Sequence, residues 1–313
     1  GIIMITTKTG RGEGMQISYS NNISWDRPTV LPNKITDPYI YLRLRETSTD
    51  NTPWDNQNYT DETYQWARER SNNPAGTTGV RENPNAPGSW EYMGNREWTE
   101  YFMSDFTFSQ NHQLSISGSS DKTNYFISGN YNRQNGALQL ADDFFDRFGV
   151  RSKVEYKPFK WLTVGNNTFL SSTQREVPSA FSIWDIYNFH PTDWEKNPDG
   201  TWANTPVGDM GARLTNGGTS NEVYNGLQSR FTTEIAIVKD IFKVNADFTY
   251  RRGTTTLDEN ETRYQIGFGP NDVRETGSNT VFKRTNLEDY NALNIYGTFN
   301  KTLGAHQFTA FAG

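Results

Sequence analysis

Residues 227–251 read LQSRFTTEIAIVKDIFKVNADFTYR, and apolar and polar side chains alternate in them on both sides of a short turn. Leu227, Phe231 and Ile235 share one parity before the turn. Phe242 and Val244 begin the same alternation after it. A period of two is typical of a β-strand, because successive side chains point to opposite faces. Each arm has about ten residues, the length that a tilted strand needs to cross a bilayer. A soluble sheet packed on one side would alternate as well, so the fold depends on whether the rest of the chain repeats this hairpin.

The alternation recurs along the chain and predicts about nine strands. Its apolar positions are Met15, Ile17, Tyr19, Ile23, Trp25, Leu114, Ile116, Tyr125, Ile127, Tyr131, Phe148, Val150, Val154, Tyr156, Leu162, Val164, Leu170, Leu293, Ile295 and Phe299. Short turns at 119–122, 157–160, 239–240 and 301–305 alternate with longer connections, among them 26–107, 172–223 and 253–288. In a soluble sandwich, loop length is not expected to differ between the two ends of the strands. Outer-membrane barrels, in contrast, have short turns on one side and long loops on the other. We therefore predict an all-β protein, an antiparallel up-and-down transmembrane β-barrel present in part, with its long loops on one rim.

Aromatic residues follow the same two-rim pattern. Tyr156 and Trp161 lie beside short turns, with Phe242 beside another, while Trp25, Tyr131 and Tyr250 lie toward the opposite strand ends. Aromatic girdles at both water–lipid boundaries are expected of such barrels. Aromatic residues are also good strand formers in general, but the sorted loops favour the girdle interpretation.

Composition excludes several classes of function. The 313 residues carry a net charge of −6 and no basic stripe, which gives no support to a nucleic-acid partner. Cysteine is absent, so thiol catalysis and thiolate metal sites are ruled out. The mean hydropathy of −0.81 would normally indicate a soluble protein. This inference from mean hydropathy does not apply to transmembrane β-barrels, because half of the residues in each spanning strand are polar.

No catalytic motif is found. The three histidines, His112, His190 and His306, lie in separate segments, and no nucleophile elbow or phosphate-binding loop occurs. The acidic turns at 55–62 and 199–200 could offer oxygen ligands to a hard cation, but their spacing is that of ordinary turns. We predict no catalytic, cofactor-binding or metal-binding residues, and no enzyme.

The predicted outer loop around residues 181–202 is rich in aromatic residues. Trp184, Tyr187, Trp194 and Trp202 are candidate substrate-binding residues, with Asp185 and Asp193 nearby. Planar rings can stack on the apolar faces of sugars while carboxylates accept hydroxyl protons. The alternative is that these rings pack the inside of the loop, and the sequence leaves the two readings equally open.

Three motifs resemble a known family. Residues 1–10, GIIMITTKTG, resemble the last plug strand of TonB-dependent outer-membrane transporters. Residues 108–118, FSQNHQLSISG, with 121–125, DKTNY, and Gly136, resemble an early barrel hairpin of the SusC/RagA-like branch found in Bacteroidota. Residues 197–202, NPDGTW, are similar to a later loop of that branch.

The resemblance implies a division into residues 1–10, the last strand of a plug domain, and 11–313, the N-terminal part of the barrel. It also implies about 22 strands in the whole barrel, so we expect the chain to be a fragment whose missing strands lie beyond Gly313. The implied function is TonB-dependent import of a glycan or peptide across the bacterial outer membrane. The implied partners are a SusD-like surface lipoprotein, the TonB complex and outer-membrane lipid, with no cofactor and no nucleic acid.

Two other classes of protein stay open at this point. A passive porin or an outer-membrane adhesin would share the strands and loops but lack a plug. A soluble carbohydrate-binding all-β protein would share the alternation alone.

Overall fold

The computed structural model describes residues 14–27, 29, 33–179 and 181–313. The predicted plug strand at 1–10 therefore lies outside the described residues. In chain order the elements are β1 (Gly14–Asp26), α1 (Pro38–Asp50), α2 (Asp61–Asn72), β2 (Val80–Glu82), β3 (Trp90–Tyr92), α3 (Thr99–Phe102), β4 (Thr107–Ser119), β5 (Thr123–Asn135), β6 (Phe144–Phe159), β7 (Leu162–Pro178), α4 (Ile183–Asn188), α5 (Pro206–Asn216), β8 (Thr219–Val238), β9 (Phe242–Glu261), β10 (Tyr264–Gly269), β11 (Asp272–Thr276), β12 (Thr280–Leu303) and β13 (His306–Ala312).

Nine strands form one antiparallel sheet in the order β1-β4-β5-β6-β7-β8-β9-β12-β13. Each strand pairs with the next wall strand along the chain, so the sheet is an up-and-down meander. The opening hairpin is β8 and β9, paired from Ser220 opposite Glu259 to Val238 opposite Phe242. Its turn contains Asp240 with φ 59°, a left-handed conformation that Asp tolerates better than most residues. The predicted fold class and strand number are confirmed.

The connections are sorted by length between the two rims of the sheet. Long segments at 27–106, 179–218 and 262–279, and a shorter one at 136–143, join strands at one rim, and tight turns join them at the other. The loops predicted at 172–223 and 253–288 are wrong in their bounds, because β7, β8, β9 and β12 continue beyond the alternating region. Outside a bilayer both faces of a strand meet water or protein, so alternation disappears while the backbone pairing continues.

The nine-stranded sheet has no hydrophobic core of its own. Every buried apolar residue of the described part lies in the long connections, in their helices or in the small hairpins. The apolar side of the sheet is uncovered: Trp25 is 66% exposed and Leu293 is 65% exposed. A soluble sheet must bury that side under a second layer, and no such layer covers it in the described ranges. The uncovered apolar side therefore favours the membrane barrel over the soluble all-β alternative.

The outward face changes from apolar to polar on each of four neighbouring strands, in step on β7 and β8 and two residues nearer the tight turns on each strand after that. Going away from the tight turns, the change runs from Leu170 to Ser172, Leu227 to Asn225, Tyr250 to Arg252 and Leu293 to Asn291. The apolar part below this change is about nine residues long on each strand, as a tilted bilayer-crossing strand requires. We call the line of these changes the outer boundary.

Alternation is weak in β7 because two polar residues also point outward there. The Asn166 Nδ2 atom donates to Ser229 Oγ at 3.0 Å, and the Thr168 hydroxyl donates to Asn166 Oδ1 at 2.9 Å. Thr168 Oγ1 lies 2.8 Å from Ser229 Oγ. These groups satisfy one another, which a lipid-facing surface demands because lipid offers no hydrogen bonds.

The long connections fold into helices that the sequence marks at their starts. The Asp37 side chain accepts a hydrogen bond from the Ile40 backbone N–H at 2.8 Å and caps α1, which opens with Pro38. Thr60 caps α2 by accepting from the Thr63 N–H at 3.2 Å. Within the described ranges, no helix is long and apolar enough to cross a membrane.

Candidate functional site

The long connections pack together through one main hydrophobic cluster and two smaller ones, and we call the structure that their described residues form the outer-loop assembly (27–106, 136–143, 179–218 and 262–279). The buried residues of its main cluster are Trp98, Phe102, Ile186, Phe189, Val207, Met210 and Leu214. The Phe102 and Phe189 rings lie 5.2 Å apart, and the Trp98 indole donates to the His190 carbonyl at 3.0 Å. Leu138 and Leu140 from the shorter connection pack against the same cluster. Distant parts of the chain are therefore held together above the wall.

Asn197, in the NPDGTW motif, joins three of these connections. Its Nδ2 atom donates to the Gly267 carbonyl at 2.9 Å, and its Oδ1 atom accepts from the Tyr92 hydroxyl at 3.0 Å. The motif itself is a turn, in which Gly200 has φ +84° and Asp199 accepts from the Thr201 backbone N–H at 3.0 Å. This motif is therefore a structural junction, and the Asp199 carboxylate is engaged within its own turn.

Two of the four candidate substrate-binding residues pack inside the outer-loop assembly. A Cβ atom placed on Gly79 would lie 2.5 Å from the Trp194 ring, so the ring rests on that glycine. Trp202 packs against the small cluster of Ala212 and Ile266, with Lys196 Nζ 4.5 Å from its ring centre. For Trp194 and Trp202 the contacts are those of loop packing.

Trp184 and Tyr187 form an exposed aromatic pair. Both lie on α4, which turns Ile186 into the core and leaves these two side chains outside. Trp184 is 70% exposed, and its ring centre lies 5.9 Å from that of Tyr187. An uncovered aromatic pair of this kind can stack on the apolar face of a sugar or on a peptide side chain.

Ionisable groups from a distant connection meet the segment that follows this pair. Lys34 Nζ lies 5.9 Å from the Tyr187 ring centre and donates to the Ile186 carbonyl at 2.9 Å. Arg45 donates to the Tyr41 hydroxyl at 3.0 Å, and its Nη1 atom lies 3.4 Å from the His190 ring nitrogens. We call the set Lys34, Arg45, Trp184, Tyr187, His190 and Asp193 the loop site.

Burial shifts the pKa values of three groups in the loop site, Asp193, His190 and Lys34. It raises the pKa of Asp193 to about 6, against the backbone N–H of His190 and the charge of Arg45, which both lower it. Burial also lowers the pKa of His190, and the charges of Arg45 and Lys34 lower it further. Burial lowers the pKa of Lys34, while nearby Glu97 raises it. At neutral pH the His190 imidazole is therefore neutral, and the charges of the site are those of Lys34, Arg45 and one carboxylate, Asp193.

Sequence reasoning found the aromatic pair but missed Lys34 and Arg45. Both lie about 150 residues before α4 in the chain, and nothing in the local sequence connects them with it. The two segments meet through polar contacts that form when the outer-loop assembly folds, those of Lys34 with the Ile186 carbonyl and of Arg45 with His190.

The polar face of the wall carries charges of both signs in local pairs. Arg230 holds Asp247 through two nitrogens, at 3.2 Å from Nε and 3.1 Å from Nη2, and Asn294 donates to the same carboxylate at 3.2 Å. Lys243 pairs with Glu234 at 2.8 Å. Mixed pairs of this kind do not form the ring of a single sign that would select an ion. In the part of the chain that the structure describes, no group of three His, Asp or Glu side chains could hold a metal ion.

Comparisons with known proteins agree with this architecture. No protein-family model matches the chain. The sequence is 27% identical over 233 residues to the TonB-dependent receptor P3 of Formosa agariphila, which covers 61% of this chain and 23% of that protein. Two solved structures cover 94% of this chain and 41% of their own: the RagAB peptide importer in an open-open state, at TM-score 0.52 and 12% identity, and the RagAB peptide transporter, at TM-score 0.50 and 13% identity.

The fold defines a class, the wall of an outer-membrane β-barrel with an elaborated outer rim. Within that class, the chain is similar to the SusC/RagA-like TonB-dependent transporters, and the resemblance inferred from the sequence is confirmed. The relatives are a receptor and transporters rather than enzymes, as predicted. The chain spans about a quarter of the length of the curated relative and two fifths of the solved chains.

Proposed function

We propose that this chain forms part of a barrel that imports a nutrient across the bacterial outer membrane in a TonB-dependent manner. The observation that carries this proposal is the sequence likeness to a TonB-dependent receptor over 233 residues. The sorted rims support it, because the long connections join strands at one rim of the wall and pack against one another there. The proposed partners are the TonB complex and a SusD-like surface lipoprotein.

The proposed cargo is a glycan or oligosaccharide, with a peptide as the second candidate. The exposed Trp184–Tyr187 pair supports either cargo, since an aromatic surface can hold a sugar face or a side chain. Lys34 and Arg45 add donors for hydroxyl, carboxylate or backbone carbonyl groups. The similar RagAB structures are those of a peptide transporter and a peptide importer, and for this reason we retain a peptide as the second candidate cargo.

The test of the import mechanism is energy dependence in cells that carry the complete protein. Uptake of labelled oligosaccharide and peptide mixtures is measured with TonB present and with TonB deleted. The proposal expects uptake to fall to background without TonB. Uptake that persists without TonB would instead support a passive porin, and binding without uptake would support an adhesin.

The test of the loop site uses a double variant, Trp184→Ala with Tyr187→Ala. Trp54→Ala is its matched control, because Trp54 is a 76% exposed tryptophan in another connection. Loss of an aromatic stacking surface should weaken cargo binding about tenfold, while the control should bind as the unmodified protein does. Equal uptake by all three proteins at equal surface expression would remove the loop site from the import pathway without affecting the TonB result.

A further inference from the structure

A cavity of about 350 Å³ opens on the outward face of the wall, across strands β6 to β9. Its lining residues are Phe148, Leu170, Ser171, Ser172, Asn225, Gly226, Leu227, Arg252 and Thr254. Ser171 and Gly226 belong to the opposite face of the sheet, so these two residues line the floor of the cavity with backbone atoms. The volume is at the low end of ligand pockets, enough for part of an amphipathic molecule.

The two sides of the cavity differ in chemistry. Within β7 and β8 the apolar lining residues, Leu170 and Leu227, lie nearer the tight turns than the polar ones, Ser172 and Asn225. Phe148 lies opposite Ser172, and Arg252 lies opposite Leu227. The cavity therefore lies across the outer boundary, where the wall passes from hydrocarbon to lipid head groups. A molecule that fits it has an apolar part below and a polar part above, which is the arrangement of a membrane lipid.

Arg252 supplies a positive charge at the polar side. Its side chain is 51% exposed, and its recorded ionic partner is Asp289, with Nε and Oδ1 3.6 Å apart. That distance is beyond a hydrogen bond, and exposed ion pairs of this kind contribute little to stability. The guanidinium can therefore offer two parallel N–H donors to an acidic head group, the geometry that suits a phosphate.

We propose that this cavity binds a phosphorylated lipid of the outer leaflet. One acyl chain lies on Phe148, Leu170 and Leu227, and a phosphate accepts hydrogen bonds from Arg252. The site lies on the outside of the wall, away from the polar face and from the loop site. It depends on the membrane setting of the barrel and not on the import of any cargo.

The test measures retained lipid by native mass spectrometry on the complete protein in detergent. The probes are diphosphorylated lipid A, the same lipid A with its phosphates removed, and phosphatidylglycerol. Arg252→Gln should weaken binding of the phosphorylated probes about ten- to a hundredfold, since it removes a charge-assisted contact. Arg251→Gln is the matched control. Arg251 is the neighbouring residue on the opposite face, paired with Glu288 at 3.7 Å, and its variant should bind as the unmodified protein does.

A second variant, Ser172→Phe, fills the cavity while keeping Arg252. It should also abolish retention, and unchanged heat-dependent mobility on gels confirms that each variant barrel is folded. Stronger retention of lipid A than of phosphatidylglycerol identifies lipid A as the occupant, and equal retention identifies any phosphorylated lipid. Retention that is the same with and without phosphates, or the same in Arg252→Gln and Arg251→Gln, would overturn the proposal.

Discussion

Truncation of Phe102 to alanine should loosen the outer-loop assembly and leave the wall intact. Phe102 is fully buried at the end of α3 and packs on Phe189 from another connection. A Phe→Ala change in a packed core costs about 3–5 kcal/mol, through lost burial and the cavity left behind. The wall strands have no part in this core, so the cost should fall on the outer-loop assembly alone.

Amide hydrogen exchange on the complete protein measures this prediction. Opening of α5 should become about two to four orders of magnitude more frequent, while amides in β8 and β9 should keep their protection. Phe106→Ala is the control, since Phe106 is exposed in the same connection and its loss should leave exchange unchanged. If α5 keeps its protection in Phe102→Ala, the long connections do not share a core. If the wall loses protection as well, the separation between wall and outer-loop assembly is wrong.

Three further predictions concern the same outer-loop assembly. Asn197→Ala removes the acceptor of the Tyr92 hydroxyl, which still accepts from the Asn204 N–H, and the side-chain donor to the Gly267 carbonyl; the opening free energy measured by exchange should fall by about 1–3 kcal/mol for each lost bond. In Gly211→Ala the new methyl group meets the Trp202 ring; thermal unfolding of the outer-loop assembly should show a loss of about 1–3 kcal/mol, and an unchanged midpoint would contradict the packing role of Trp202. The pKa of Asp193, about 6 in the fold against a usual 3.8, means that the folded state binds its proton more tightly. The opening free energy should therefore fall by about 3 kcal/mol in all as pH rises from about 3 to about 7, with about 2 kcal/mol of the fall between about pH 4 and 6; Asp193→Asn should remove this slope.

The wall could be predicted from the sequence because its physics is local. A residue such as Phe231 or Val244 points outward because of its parity within its own strand, and no distant partner is needed to know it. The ends of the strands could not be predicted in the same way. Thr254 and Thr256 still pair in β9, but the apolar alternation that marks a strand has already stopped there.

The loop site shows the opposite situation. The sequence indicated Trp184, Tyr187, Trp194 and Trp202 as a group because they are close in the chain. Their different environments depend on contacts of Trp194 with Gly79 and of Trp202 with Ile266, and both of these partners lie in other connections. Composition can therefore reveal an aromatic loop, but the choice between packing and exposure is made by residues far away in sequence.

The packing of the long connections against one another has a consequence for protein engineering. In a chimera that receives only one of these segments from a relative, one partner of the Phe102–Phe189 contact and one partner of the Asn197–Tyr92 contact would be foreign. The other partner of each contact would be unchanged and would no longer match it. Transplantation should therefore succeed only when the whole set of segments is exchanged together. Between relatives, these segments should also diversify as one unit, each accepted substitution restricting what the others can become.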